Sequence, residues 1–162
     1  MNYVIRALIA DDEPIVWEML RHASHEPSVE AVKTQPLLAR YVVNWGRAGD
    51  LGCVAESKQT AIGAAWVRLW LTKDKGFGYI QDEIPELAIA VLPDYRGQGI
   101  GTQLLAQVLN MSKTHFPGVS LNVRADNPAV KLYERVGFMK MPGSEVVNRT
   151  GGISFNMLCE FH

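Results

Sequence analysis

The apolar run 87–92 passes almost directly into Arg96-Gly97-Gln98-Gly99-Ile100-Gly101, and from there into the amphipathic stretch that begins Thr102-Gln103-Leu104-Leu105. No other segment restricts the fold so tightly, because it spells a strand, a tight glycine turn and a helix in succession. Glycines at 97, 99 and 101 remove the side chains that would hold a ligand away from the backbone. The helix behind them aims its unpaired N–H groups, and the positive end of its dipole, back at the turn. Arg96 adds a fixed positive charge at the rim. Such a turn is either a bare connection or an anion site, and for an anion site pyrophosphate is the expected occupant.

Two phosphate loops do not fit. A Walker loop needs Gly-Lys-Ser/Thr after its glycines, whereas Gly101 is followed by Thr102 with no lysine nearby. The dinucleotide fingerprint spaces its glycines G-x-G-x-x-G, a spacing that 97, 99 and 101 do not have.

The 162 residues, 48% of them hydrophobic, suit one α/β domain over 1–162 with a sizeable core and no need of staples or metals. A formal charge of −1 gives no broad basic field for nucleic acid or anionic membrane. No apolar run approaches a membrane span and the first residues lack a signal peptide's layout, so a cytoplasmic location is expected. Cys53 and Cys159, far apart in apolar strand-like settings, read as buried thiols.

Along the chain, 3–9 reads as a strand. Asp11-Asp12-Glu13-Pro14 reads as a helix start, with Ile15, Val16, Met19 and Leu20 as the apolar face. Glu26-Pro27 interrupts it, and a second helix is expected over 36–45, closed by Gly46 and Gly49. Residues 51–56 and 61–71 form a hairpin around the turn 57–60. After the strand 86–92 and the glycine turn, Ile100, Leu104, Leu105, Val108 and Met111 mark a helix that Phe116-Pro117-Gly118 stops. A strand follows over 119–123. Asn127-Pro128 opens a helix with Ala129, Leu132, Tyr133 and Val136 on one face, ended by Gly137. Two last strands, 138–141 and 153–161, enclose a polar loop.

Arg-x-x-Gly-x-Gly after a strand resembles the acetyl-coenzyme A loop of the GNAT acetyltransferases. The segment from Asn127 through Ala129 and Tyr133 to Gly137-Phe138 resembles the helix and strand that close the coenzyme site in that family. The two signatures stand in the family's order, with one helix and one strand between them, and together cover roughly residues 86–138. The resemblance implies a mixed, mostly antiparallel sheet flanked by helices, with two central strands, here 86–92 and 119–123, splaying to admit the pantetheine arm. Proline at 93 suits a strand that must stop pairing there.

The resemblance further implies acetyl-CoA as cosubstrate, no metal, and direct acetyl transfer to a small-molecule or protein amine. The backbone at Val91 and Leu92 would face the thioester. The loop Gly97, Gln98, Gly99, Ile100, Gly101 and Thr102, with Arg96, would hold the pyrophosphate, and Asn127 would help close the site. Tyr133 would be the acid that protonates the departing thiolate. The strand 153–161 would pair two copies in a homodimer.

Glu86, at the head of the strand entering the site, is the candidate base, with Asp82 and Glu83 in reserve. A carboxylate near ~4.3 is a weak base for an amine near ~10. Either burial raises it or it orients a water chain, unless Glu86 is simply a solvated strand-end carboxylate. Tyr133 also belongs to an apolar helix stripe. A phenol near ~10 giving its proton to a thiol near ~8.5 is uphill by about 2 kcal/mol, so hydrogen bonding to the thiolate is an equally good role. His22 and His25 lack a convincing third metal ligand. Trp17, Trp45, Trp66 and Trp70 read mostly as core. Asp82, Glu83 and Glu86 form either an acidic patch for a cationic acceptor or an ordinary solvated loop. Two competing readings remain: a module that senses acyl-CoA without turnover, and a nucleotide-binding domain, which the glycine spacing disfavours.

Overall fold

A computed structural model describes residues 2–71 and 73–162. The strands are β1 (Val4–Ala7), β2 (Leu51–Ser57), β3 (Thr60–Arg68), β4 (Glu86–Val91), β5 (Gly118–Arg124), β6 (Met139–Lys140), β7 (Val146–Val147) and β8 (Ile153–Glu160). They form one sheet in the order β1-β2-β3-β4-β5-β8-β6, with β7 also paired to β8. Every pairing is antiparallel except β4 with β5. That parallel step needs a crossover, and α4 (Ile100–Ser112) supplies it. The helices α1 (Glu13–Ala23), α2 (Val29–Lys33) and α3 (Pro36–Ala39) precede the hairpin, and α5 (Ala129–Arg135) follows β5.

Side chains alternate across each strand, so the sheet carries two cores. Cys53, Ala65, Leu87 and Leu121 face α4 and α5, where Leu104, Leu105, Val108 and Phe138 cover them. Val54, Ala64, Trp66 and Ala90 face the other way, under Val16, Met19, Leu20 and Val42. The β2–β3 hairpin turns on Lys58 and Gln59, both left-handed, which matches the twist of the flanking strands.

The expected helix over 36–45 is not there. Only Pro36–Ala39 is helical, and residues 40–46 run in turns. Side chains of β3 take the carbonyls that a helix would spend on itself. Arg68 donates to the carbonyls of Arg40, Val42 and Val43, and Trp66 Nε1 to that of Tyr41. Four further differences are local. The five-residue α2 forms after the Glu26-Pro27 break because Ser28 caps it, its Oγ accepting from the Ala31 amide at 3.1 Å. β3 ends at Arg68, three residues early, where that guanidinium turns inward. The polar loop before β8 contains β7, and α4 stops at Ser112, ahead of Phe116-Pro117-Gly118. Cys53 and Cys159 are buried free thiols, and burial pushes the Cys53 thiol up to about 12.

Candidate active site

β4 pairs with β3 along its length but meets β5 at one position, Glu86 opposite Ser120. The Ser120 amide donates to Pro85 O at 2.9 Å on the β5 side of the strand. At the other end the Leu92 amide donates to Ile62 O at 2.9 Å on the β3 side. Alternation along the strand therefore turns the amides of Ile89 and Val91 toward the gap that β5 leaves, while the Leu92 amide is spent on β3. A cleft of about 500 Å³ enters this gap, with Leu87, Ala88 and Ile89 on one wall, residues 121–124 on the other, and Asn127 and Tyr133 beside them.

Glu86 sits where the strands are still paired, and it is only 3% exposed. Its Oε1 accepts from Trp70 Nε1 at 3.0 Å and from the Gly78 amide at 2.9 Å; its Oε2 accepts from Tyr41 Oη at 2.6 Å. Burial pushes this carboxyl up to about 7, and the bonds from Tyr41, Gly78 and Trp70 pull against the rise. The strand-end carboxylate is thus not solvated. Glycine is needed at 78, where a Cβ would lie 2.7 Å from Glu86 Cδ. Tyr41 also accepts from the Phe77 amide at 2.9 Å, which fastens the loop 76–78 over the carboxylate.

Asp82 and Glu83 do not join this group. Both are exposed and outside the cleft, and Asp82 accepts from Tyr79 Oη at 2.6 Å. The acidic patch of the sequence is therefore split by burial of one member. Nothing in the spacing signals Tyr41, which reaches Glu86 from 45 residues away. Trp70 is core as expected, yet its indole N–H is aimed at the carboxylate.

Tyr133 lines the cleft at 8% exposure, its ring edge-on to Phe138 at 5.8 Å. Burial pushes its phenol up to about 12. Proton transfer to a thiolate near ~8.5 is then uphill by roughly 5 kcal/mol, which favours a hydrogen-bonding role over full transfer. Asn127 Oδ1 accepts from the Ala129 amide at 2.8 Å and so starts α5.

The glycine loop follows a short 3-10 turn (Pro93–Tyr95) and lies outside the cleft lining. Arg96 Nε donates to Val91 O at 3.0 Å, folding its side chain back across the turn. Gly97 and Gly99 are left-handed, with φ of 75° and 82°, and a Cβ on either would meet nothing within 4 Å. Backbone conformation, and not crowding, therefore requires glycine at both positions. The first bond inside α4 is Gln103 N to Gly99 O at 3.1 Å, and no side chain caps the helix. The amides of Ile100, Gly101 and Thr102 are left pointing at the open face of the turn. An uncapped helix start beside an empty glycine face, next to a slot between two strands, fits a diphosphate joined to a thin chain. Among the described residues no group of three or more His, Cys, Asp or Glu side chains could hold a metal ion.

Residues 15–138 match the model of the Acetyltransferase (GNAT) family. A mycothiol acetyltransferase of Corynebacterium aurimucosum is 37% identical over 86 residues, covering 52% of this chain and 26% of that protein. A mycothiol acetyltransferase of an Arthrobacter species is 27% identical over 143 residues, covering 86% of this chain and 43% of that protein. The chain thus spans less than half the length of these curated relatives. The structure of yncA from Salmonella typhimurium with its cofactor acetyl-CoA superposes over 100% of this chain and 95% of that one. Its TM-score is 0.75 at 20% identity, a likeness of fold. With the family match running from α1 to Phe138, beyond the end of α5, the chain belongs to the GNAT acetyltransferase family.

Proposed function

We propose that this chain transfers an acetyl group from acetyl-CoA to an amine by direct attack within a ternary complex. The observation that carries the reading is the β4–β5 gap, with a buried carboxylate at its paired end and an uncapped glycine-led helix start beyond its open end. When bound, acetyl-CoA supplies the acetyl group as an activated thioester. The amides of the loop from Gly97 to Thr102, with Arg96, hold its diphosphate, and charge-assisted bonds of this kind contribute about 1.5–3 kcal/mol each. The Val91 amide, turned toward the gap, stabilises charge developing on the carbonyl oxygen, a donation whose loss typically costs roughly 10²–10³ in rate.

Glu86 takes the amine's proton, directly or through one water. With its carboxyl near 7, deprotonating an amine near ~10.4 is uphill by roughly 5 kcal/mol, against roughly 8 kcal/mol for an ordinary glutamate. Tyr133 hydrogen-bonds the departing sulfur. A cytoplasmic site of action and a single catalytic unit over the described residues complete the proposal. The buried free thiols support the first, and the shared sheet between two cores supports the second. No helix among the described residues is long and apolar enough to cross a membrane.

The test is calorimetric binding of acetyl-CoA, with ATP and NAD as controls, followed by thiol release in the presence of amines. Selective acetyl-CoA binding with amine-dependent thiol release is expected. Preference for ATP or NAD would sink the proposal, and acetyl-CoA binding with no release across a broad amine panel would favour a sensor.

A further inference from the structure

The geometry points to a small primary amine with an apolar body and no second positive charge as the acceptor, an assignment that rests on the acetyl-transfer reading above. The charge of the cleft carries it. Glu86 is the single carboxylate among its described lining residues, and Tyr41, Trp70 and Gly78 already occupy both its oxygens. The other ionisable side chains that could oppose or attract a distant charge are His25, Arg124 and Arg149. Glu26, the chain neighbour of His25, is held by Gln35 and lies 3.7 Å from Arg149. A polyamine would bring its second ammonium to a wall with basic groups and no second carboxylate, where like charges repel it and no opposite charge draws it in.

The remaining wall carries an apolar patch among uncharged polar side chains such as Gln35 and Asn148. Leu37 and Val147 are 58% and 71% exposed, and both line the cleft together with exposed Phe77 and Val146. Exposed apolar side chains converging on one concavity mark a surface that a ligand covers. The volume suits a small molecule. Arg149 narrows the approach, its Nη2 donating to Ser24 O at 3.0 Å and its Nη1 lying 3.4 Å from Gln35 Oε1, so that it ties the turn before β8 to the α1–α2 region.

The test compares 2-phenylethylamine with spermidine at saturating acetyl-CoA, read as kcat/KM for thiol release. The aryl amine is expected to be favoured at least tenfold. Leu37→Asp and Val147→Asp, both at exposed positions and each checked by thermal melt for an intact fold, should each narrow that preference by a factor of three or more. Calorimetric binding of the two N-acetylated products in the presence of CoA reads the same selectivity without chemistry. Tighter binding of the aryl product with no turnover of either amine would defeat the transfer reading yet uphold the cleft's selectivity. The inference is overturned if spermidine is used or its product bound as well as the aryl partner, if neither product binds, or if only protein amines are acetylated.

Discussion

The proposed chemistry rests most heavily on one side chain, Glu86. Its carboxyl is lifted to about 7 from an ordinary 4.5 because it is buried, and the donors around it limit the rise. The base form gains population through pH 7, so kcat/KM should climb with pH and level off above it. Tyr41→Phe removes a bond to the charged form and should move that limb to higher pH, the first whole unit of movement lowering the rate at pH 7 by about fivefold. A pH–rate profile checks this, and an unmoved limb would remove Glu86 as the titrating base. The same group couples pH to stability. Folding raises its proton affinity, so between pH 4.5 and about 7 the folded chain keeps a proton that the unfolded chain has released. Stability is therefore lost as pH rises through that window, by roughly 3 kcal/mol in all. Glu86→Gln should flatten this dependence in thermal melts run at pH 5 and pH 8. It should also lower turnover by roughly 10²-fold or more. Glu86 was legible in the sequence as the carboxylate at the head of the strand that leads into the glycine loop. Its surroundings were not, because Tyr41, Trp70 and Gly78 converge from separate segments with no shared spacing.

Segment 40–46 shows how one strand can overrule a local helix pattern. Arg68 and Asp50 form an ion pair 2.8 Å apart, each side chain 1% exposed, and the guanidinium's other hydrogens are spread over the carbonyls of Arg40, Val42 and Val43. This clamp fixes the turn that carries Tyr41 toward Glu86. Arg68→Met strands the Asp50 charge and should cost about 3–5 kcal/mol, lowering the thermal midpoint by roughly 10 °C. Pairing it with Asp50→Leu removes the stranded charge and should recover much of the loss. A double variant no more stable than Arg68→Met would mean that the carbonyl contacts, and not the ion pair, dominate. Elements set by near neighbours were readable in advance. The helix α4 follows from the spacing of Ile100, Leu104, Leu105 and Val108, and α5 follows from Asn127, whose side chain does accept from the Ala129 amide. The run 36–45 carried an equally plausible helical pattern. What decided its structure lay in β3, more than twenty residues away, where no local period reports it.

The sheet is continuous from β1 to β4 and again from β5 through β8, yet a single ladder position joins the two halves. The crossover α4 packs chiefly on β2 and β3 and only lightly on β5. A ligand lying in the gap would supply hydrogen-bonding partners for amides that β5 does not reach, and would bridge the halves at the same time. Ligand binding to the folded chain alone stabilises it by about 2.7 kcal/mol at 100 times the dissociation constant. For a chain of this size that raises the thermal midpoint by roughly 5–10 °C. Acetyl-CoA is expected to give this rise, and amide exchange should slow at Ile89 and Val91 and along β5 together. Gly99→Val should abolish most of it, since a β-branched residue is strained at φ 82° and the helix start loses its open face. The variant's own melt without ligand separates that effect from a loss of fold. A midpoint raised by ATP or NAD but not by acetyl-CoA, or exchange slowed on β4 with β5 unchanged, would mean that the gap is not where the ligand joins the two halves.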